Sequence, residues 1–190
     1  MSYFLIFIGA VFVNNIVLSQ FLGICPFLGV SKKVETSIGM SLAVAFVMTI
    51  STLFTYLIYY YLLVPFHLEF FQTILYILVI ATLVQMVEVV LKKVSPVLYQ
   101  ALGVFLPLIT TNCTILGVAI LVIQKDFDLI SSLIFALSSA IGFGLALLIF
   151  SGIREQLSMT SVPKAMEGTP IALISAGILA MAFMGFSGIV

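Results

Sequence analysis

Charged side chains divide the sequence into six long uncharged runs, at residues 1–31, 36–66, 70–87, 94–124, 129–153 and 168–190. Each run is dominated by apolar residues, and roughly 20 such residues in helical form cross the hydrocarbon core of a bilayer. The pattern predicts an all-α integral membrane protein with six transmembrane helices. Lys32, Lys33, Lys92, Lys93, Arg154 and Lys164 fall in alternate loops, whereas the opposite set of loops holds only Lys125. Cytoplasmic loops are enriched in lysine and arginine, so the bias predicts that both termini face outward.

Three spans per half is an odd number, so a duplicated half must insert upside down relative to the first copy. The expected organisation is a single transmembrane domain, 1–190, built from inverted repeats 1–95 and 96–190. A matching motif supports the division: Cys-Pro-Phe-Leu-Gly begins at Cys25 and Cys-Thr-Ile-Leu-Gly begins at Cys113. These are the only cysteines in the chain. They fall in the first and fourth spans, where an axis in the membrane plane brings equivalent positions of the repeats together.

A straight helix from about Tyr3 would carry Cys25 roughly 33 Å, past the far side of the hydrocarbon. The first span is therefore expected to be interrupted within Gln20–Pro26, with Gly23 and Pro26 as breakers. In the fourth span Pro107 is the expected breaker, followed by Thr110, Thr111 and Asn112. Unwound backbone at membrane depth must be satisfied by protein or water, so Asn14, Asn15, Ser19 and Gln20 and the 110–112 polar run are expected to face the interior. Individually, such residues read first as interhelical glue. Ser138, Gly142 and Ala146, and likewise Ala172, Ala176 and Ala180, recur every fourth residue and predict close helix packing.

Composition agrees with the membrane reading. The chain is 63% hydrophobic and 7% charged, with a mean hydropathy of +1.36. Its seven basic and seven acidic residues cancel, leaving no basic patch to hold nucleic acid. The first 31 residues carry no charge, so the basic n-region of a signal peptide is missing and the segment is expected to be retained as a span. Tryptophan is absent, and interfacial anchoring falls to Tyr59, Tyr60, Tyr61 and Tyr99.

Chemistry concentrates at the cysteines, for which three readings stand: a small apolar residue in a core, a disulfide, or metal ligation. A disulfide would lie away from the oxidising aqueous face where such bridges usually form. Thiolates favour zinc or iron-sulfur clusters, and a [2Fe-2S] site takes four of them. A half-site of two thiolates requires a second chain, in a heterodimer or homodimer. His67 lies near Glu69 in an outer loop and, without a second ligand, reads as solvated. Asp126 and Asp128 read likewise. Glu88 with Lys92 forms an i,i+4 pair near a helix end, and Arg154 with Glu155 reads as interfacial. No dinucleotide fingerprint, P-loop or catalytic triad pattern is present, which argues against catalysis by this chain alone.

Residues 14–33, Asn-Asn-Ile-Val-Leu-Ser-Gln-Phe-Leu-Gly-Ile-Cys-Pro-Phe-Leu-Gly-Val-Ser-Lys-Lys, and 102–117, Leu-Gly-Val-Phe-Leu-Pro-Leu-Ile-Thr-Thr-Asn-Cys-Thr-Ile-Leu-Gly, resemble the Rnf/Nqr family of six-helix membrane subunits. Gly-Ile-Arg-Glu at 152–155 and Met-Gly-Phe-Ser-Gly at 184–188 extend the resemblance along the chain. It implies a subunit of a redox-driven Na⁺ or H⁺ translocase in a bacterial or archaeal cytoplasmic membrane. The ferredoxin:NAD⁺ type is the nearer match and the NADH:quinone reductase type the sibling alternative. The resemblance further implies a [2Fe-2S] cluster shared with a paralogous subunit, with Cys25 and Cys113 as this chain's ligands. Flavin and NAD sites would belong to other subunits of the complex. Gly23, Gly29, Thr111 and Asn112 are the expected surroundings that tune the cluster. An inverted-repeat secondary transporter without a cluster is the alternative of a different class.

Overall fold

A segment in hydrocarbon has no water for its backbone N–H and C=O groups, so helices are the form available to long apolar runs. The computed structural model of the chain describes residues 3–66, 69–94, 106–161, 163 and 166–188, and these are helical apart from short connections. The helices are α1 (Tyr3–Val13), α2 (Ile24–Val30), α3 (Val34–Phe66), α4 (Gln72–Val94), α5 (Leu106–Thr110), α6 (Cys113–Gln124), α7 (Leu129–Ser158) and α8 (Thr169–Met184). A π-helical turn closes α1 at Gly9–Val13, and another lies near the end of α3 at Tyr59–Leu63.

Among the described residues, four helical stretches are long and apolar enough to cross a membrane: Val34–Phe66, Gln72–Val90, Pro107–Gln124 and Leu129–Ser158. Tyr3–Val13 and Thr169–Met184 are shorter apolar helices. The first uncharged run is thus divided between α1, an irregular stretch and α2. His67, Tyr99 and Lys164 lie outside the described residues.

α7 is the central post. Buried residues make up 61% of its most apolar window against 17% for α4, which places α4 at the periphery. Its most extensive partner is α3, and α1 also lies against it. Close approach is possible because α7 presents small residues: a Cβ on Gly142 would meet the Ala10 carbonyl oxygen and the Val11 Cα, each at 3.2 Å. The Ser138, Gly142, Ala146 stripe therefore packs within this chain, and all three residues are buried. Hydroxyls in the long helices bond back along their own helix, as in Thr52 to the Met48 carbonyl (2.8 Å), Thr55 to Ser51 (2.7 Å) and Ser138 to Ile134 (2.6 Å).

The first break includes Gly23, as the sequence predicts, but begins earlier. α1 ends at Val13, well before Gly23, and residues 14–23 run mostly as turns. Pro26 is the third residue of α2, so it lies in the opening turn of a helix and does not break one. The first turn is where proline's missing N–H costs nothing and its fixed φ already suits the helix. Pro107 is helical, within Leu106–Thr110, and the residues before Leu106 lie outside the described ones. Among the described residues of the fourth run, the break falls at Thr111 and Asn112, between α5 and α6 and within the polar run expected to follow Pro107.

A candidate cysteine half-site

The irregular stretch after α1 is anchored by Asn15, which is fully buried. Its Nδ2 donates to the carbonyls of Val11 (3.0 Å) and, on α7, Gly142 (2.9 Å), while its Oδ1 accepts from the Val17 N–H (3.1 Å). Of the four polar residues expected to face inward here, only Asn15 does so; Asn14, Ser19 and Gln20 are exposed in this chain. An amide with two donors and an acceptor is what an unwound segment needs beside a helix carbonyl.

The chain then passes through Phe21, at φ 55, and Gly23, at φ 80. Left-handed backbone is routine for glycine and a rare outlier for phenylalanine. Strain of this kind persists where the surroundings over-determine it, and here it immediately precedes Cys25. At Gly23 the surroundings are close. A side chain there would run into Thr114 Oγ1 and would lie 3.1 Å from the Phe143 ring and 3.2 Å from Asn112 Oδ1.

That approach joins the two cysteine motifs. The Gly23 N–H donates to Cys113 Sγ at 3.0 Å, across 90 residues of sequence. Cys25 lies two residues beyond Gly23, so its Cα is within about 8 Å of the Gly23 Cα. Cys25 is the second residue of α2 and Cys113 the first of α6, so both thiols occupy the opening turn of a helix that follows a break. Both are free; Cys25 is exposed and Cys113 half-buried.

Asn112 forms the N-cap of α6, its Oδ1 accepting from the Thr114 N–H at 3.0 Å. This is the usual work of an asparagine before an apolar helix. The same cap leaves Asn112 Nδ2 buried with no hydrogen-bond partner in the chain, and Thr114 Oγ1 is in the same condition. Buried polar groups are normally paired, so these two mark where the chain's own bonding stops short.

The other expected neighbours divide. Gly23 contacts the Cys113 sulfur, and Asn112 adjoins it in the chain. Thr111 is exposed, and its hydroxyl donates to the Pro107 carbonyl at 3.0 Å. Gly29 faces Leu108, whose side chain would lie 3.5 Å from an added Cβ, so it serves the packing of α2 on α5. Thr114 is a neighbour that the sequence pattern does not single out, although its place next to Cys113 in Asn-Cys-Thr is a signal of a kind. Asp126 and Asp128 are exposed. Lys125 lies over the rings of Phe127 and Phe135, at 5.8 and 5.2 Å.

Soft thiolate ligands select zinc, copper(I) or iron-sulfur centres. The surroundings suit an anionic, sulfur-rich group: an N–H already directed at one sulfur, the N-terminal end of the 12-residue α6 beneath it, and an unpartnered amide next to it. The donor set fits such a group but does not complete one. Among the described residues, no cluster of three or more His, Cys, Asp or Glu side chains could hold a metal ion. Cys25 is at the surface, open to ligands from outside this chain.

Comparison with known proteins places the whole chain. Residues 3–190 match the profile of a family described as Rnf-Nqr subunit, membrane protein. The chain is 60% identical over 186 residues to the A subunit of the ion-translocating oxidoreductase complex of Syntrophotalea carbinolica, covering 98% of this chain and 96% of the relative. It is 57% identical over 188 residues to the A subunit of the Na(+)-translocating ferredoxin:NAD(+) oxidoreductase complex of Acetobacterium woodii, covering 99% and 98%. With the A subunit of the ion-translocating oxidoreductase complex of Vibrio vulnificus it shares 51% over 189 residues, covering 100% and 98%.

Proposed function

The chain belongs to the Rnf-Nqr family of membrane subunits, and from that premise we propose how it works as the A subunit of an ion-translocating ferredoxin:NAD⁺ oxidoreductase complex in a bacterial membrane. Cys25 and Cys113 supply two of the four thiolate ligands of a [2Fe-2S] cluster, and a paralogous six-helix subunit supplies the other two. The observation that carries this reading is the Gly23 N–H bonded to Cys113 Sγ, which brings both cysteine motifs to one spot with Cys25 exposed beside it.

When bound, the cluster supplies one-electron redox chemistry. Everything else is done by the chain. Electrons crossing the complex face about 30 Å of hydrocarbon, and a carrier near the middle divides that gap. In this reading the breaks at 14–23 and 111–112 serve to hold the cysteines at that depth, past which a continuous first helix would carry Cys25. The Gly23 amide lowers electron density at the Cys113 sulfur. The buried Phe143 ring, which lies against Gly23, is uncharged and keeps water from that side of the site. Asn112 Nδ2 is a second donor available to a sulfur-rich ligand, and hydrogen bonds to sulfur raise the potential of such centres.

The same reading makes α1–α4 and α5–α8 inverted repeats, 1–95 and 96–190, each contributing an irregular break and one cysteine, with six spans and both termini outside. Support comes from the parallel arrangement at the two sites: helix, break, then cysteine in the opening turn of the next helix.

The test is an anaerobic preparation of the complex from parent, Cys25→Ala and Cys113→Ala strains, compared by iron content and EPR. The parent is expected to show a [2Fe-2S] signal that both substitutions remove, together with the loss of about two iron atoms per complex. A parent lacking that signal, or a signal that survives both substitutions, would overturn the proposal.

A further inference from the structure

An α-helix of seven residues is too short to be stable alone, because the cost of nucleation is spread over very few hydrogen bonds. Whatever fixes the position of Cys25 must therefore grip α2 from outside. At its N-terminal end the grip is the Gly23 amide on Cys113. At its C-terminal end it comes from α7. Arg154 Nη1 donates to the Leu28 carbonyl at 2.7 Å and to Ser31 Oγ at 2.8 Å. Leu28 is among the last four residues of α2, whose carbonyls have no partner within the helix, and a cation there also complements the helix dipole. One turn earlier on α7, Phe150 stacks on Phe27 with centroids 4.2 Å apart and planes 13° from parallel. The Arg154 guanidinium lies 5.8 Å from the centroid of the same Phe150 ring.

These contacts revise the sequence reading of Arg154 as an interfacial charge. A snorkelling arginine directs its head to water; this one directs two hydrogen bonds to a segment 123 to 126 residues away. We infer that Arg154 is a positioning residue for the cluster: by pinning the C-terminal end of α2 to α7 it sets where Cys25 stands relative to Cys113. The inference rests on the reading of Cys25 as a ligand. Leu28 is three residues from Cys25, about 4.5 Å along the helix, so a loosened C-terminal end is felt at the sulfur.

The test uses the purified anaerobic complex carrying Arg154→Leu, Arg154→Lys or Ser31→Ala, read by hydrogen exchange of the 24–30 amides and by the EPR line shape and midpoint potential of the cluster. Arg154→Leu is expected to speed exchange across 24–30 by about tenfold, as for loss of a charged hydrogen bond, with α3 unchanged. It is also expected to broaden or shift the EPR signal. Lysine should restore both readouts most of the way, because the charge and one donor remain, and Ser31→Ala should fall between parent and leucine. If the leucine variant fails to assemble, Ser31→Ala carries the test with the same two readouts. Exchange and spectrum both matching the parent in the leucine variant would overturn the inference, as would a lysine variant as impaired as leucine. If the parent complex has no cluster signal, the ligand reading of Cys25 fails. Exchange at 24–30 then decides by itself whether Arg154 holds α2.

Discussion

Replacing Gly23 with alanine perturbs the contact between the two cysteine motifs at its closest point. Two costs add. Alanine at φ 80 adopts the left-handed conformation, at about 1–2 kcal/mol. Its methyl group would run into Thr114 Oγ1 and lie 3.1 Å from Phe143, an overpacking of about 1–3 kcal/mol. A total of about 2–5 kcal/mol exceeds the ~1 kcal/mol gained from a typical hydrogen bond, so the segment should shift and the amide should leave Cys113 Sγ. The expected result is a lower midpoint of thermal unfolding in detergent and a fall in iron per complex. Thr114→Ala separates the two costs. Alone it should be nearly neutral, because it removes a buried hydroxyl that has no partner in the chain. Combined with Gly23→Ala it should recover the steric share and leave the backbone share, a coupling readable as a double-mutant cycle. Parental iron and stability in the Gly23→Ala complex would show that the contact does not constrain the site, and a double variant no better than Gly23→Ala would remove Thr114 as the obstacle.

Three further outcomes follow from the packing around the site. Asn112→Ala should cost about 1 kcal/mol through loss of the α6 cap, with Asn112→Ser recovering most of it, measured by thermal unfolding of the solubilised complex. Asn15→Leu leaves the Gly142 carbonyl and Val17 N–H without their partner and should cost about 1–3 kcal/mol, whereas Asn14→Leu, at an exposed position, should stay within about 0.5 kcal/mol of the parent. Gly142→Leu should sharply reduce the monodisperse fraction on size exclusion, because even a methyl group would lie 3.2 Å from the Ala10 carbonyl oxygen.

The long helices are legible in the sequence because charge and hydropathy are properties of single positions summed over a window, and lipid leaves little choice of backbone form. Cys25 and Cys113 are legible because their flanking residues repeat. What escapes depends on partners distant in sequence. Asn14 and Asn15 are indistinguishable as letters, yet only Asn15 reaches Gly142, 127 residues away. Nothing around Arg154 in the sequence signals that its partners are Leu28 and Ser31. The role of Pro26 is misplaced for a local reason: proline opens a helix as readily as it ends one, and here Gly23 takes the cap position of α2 while Pro26 sits in its first turn. An asparagine before an apolar run is a helix start signal, and read that way Asn112 would have marked the start of α6.

Whether two cysteines of this chain form half of a shared [2Fe-2S] site can be seen in a single-particle map of the intact, anaerobically prepared complex. Strong compact density is expected in contact with Cys25 Sγ and Cys113 Sγ on one side and with two cysteines of a second membrane subunit on the other. Well-resolved cysteines with no density between the subunits, or a cluster held entirely by other chains, would mean that the half-site does not exist.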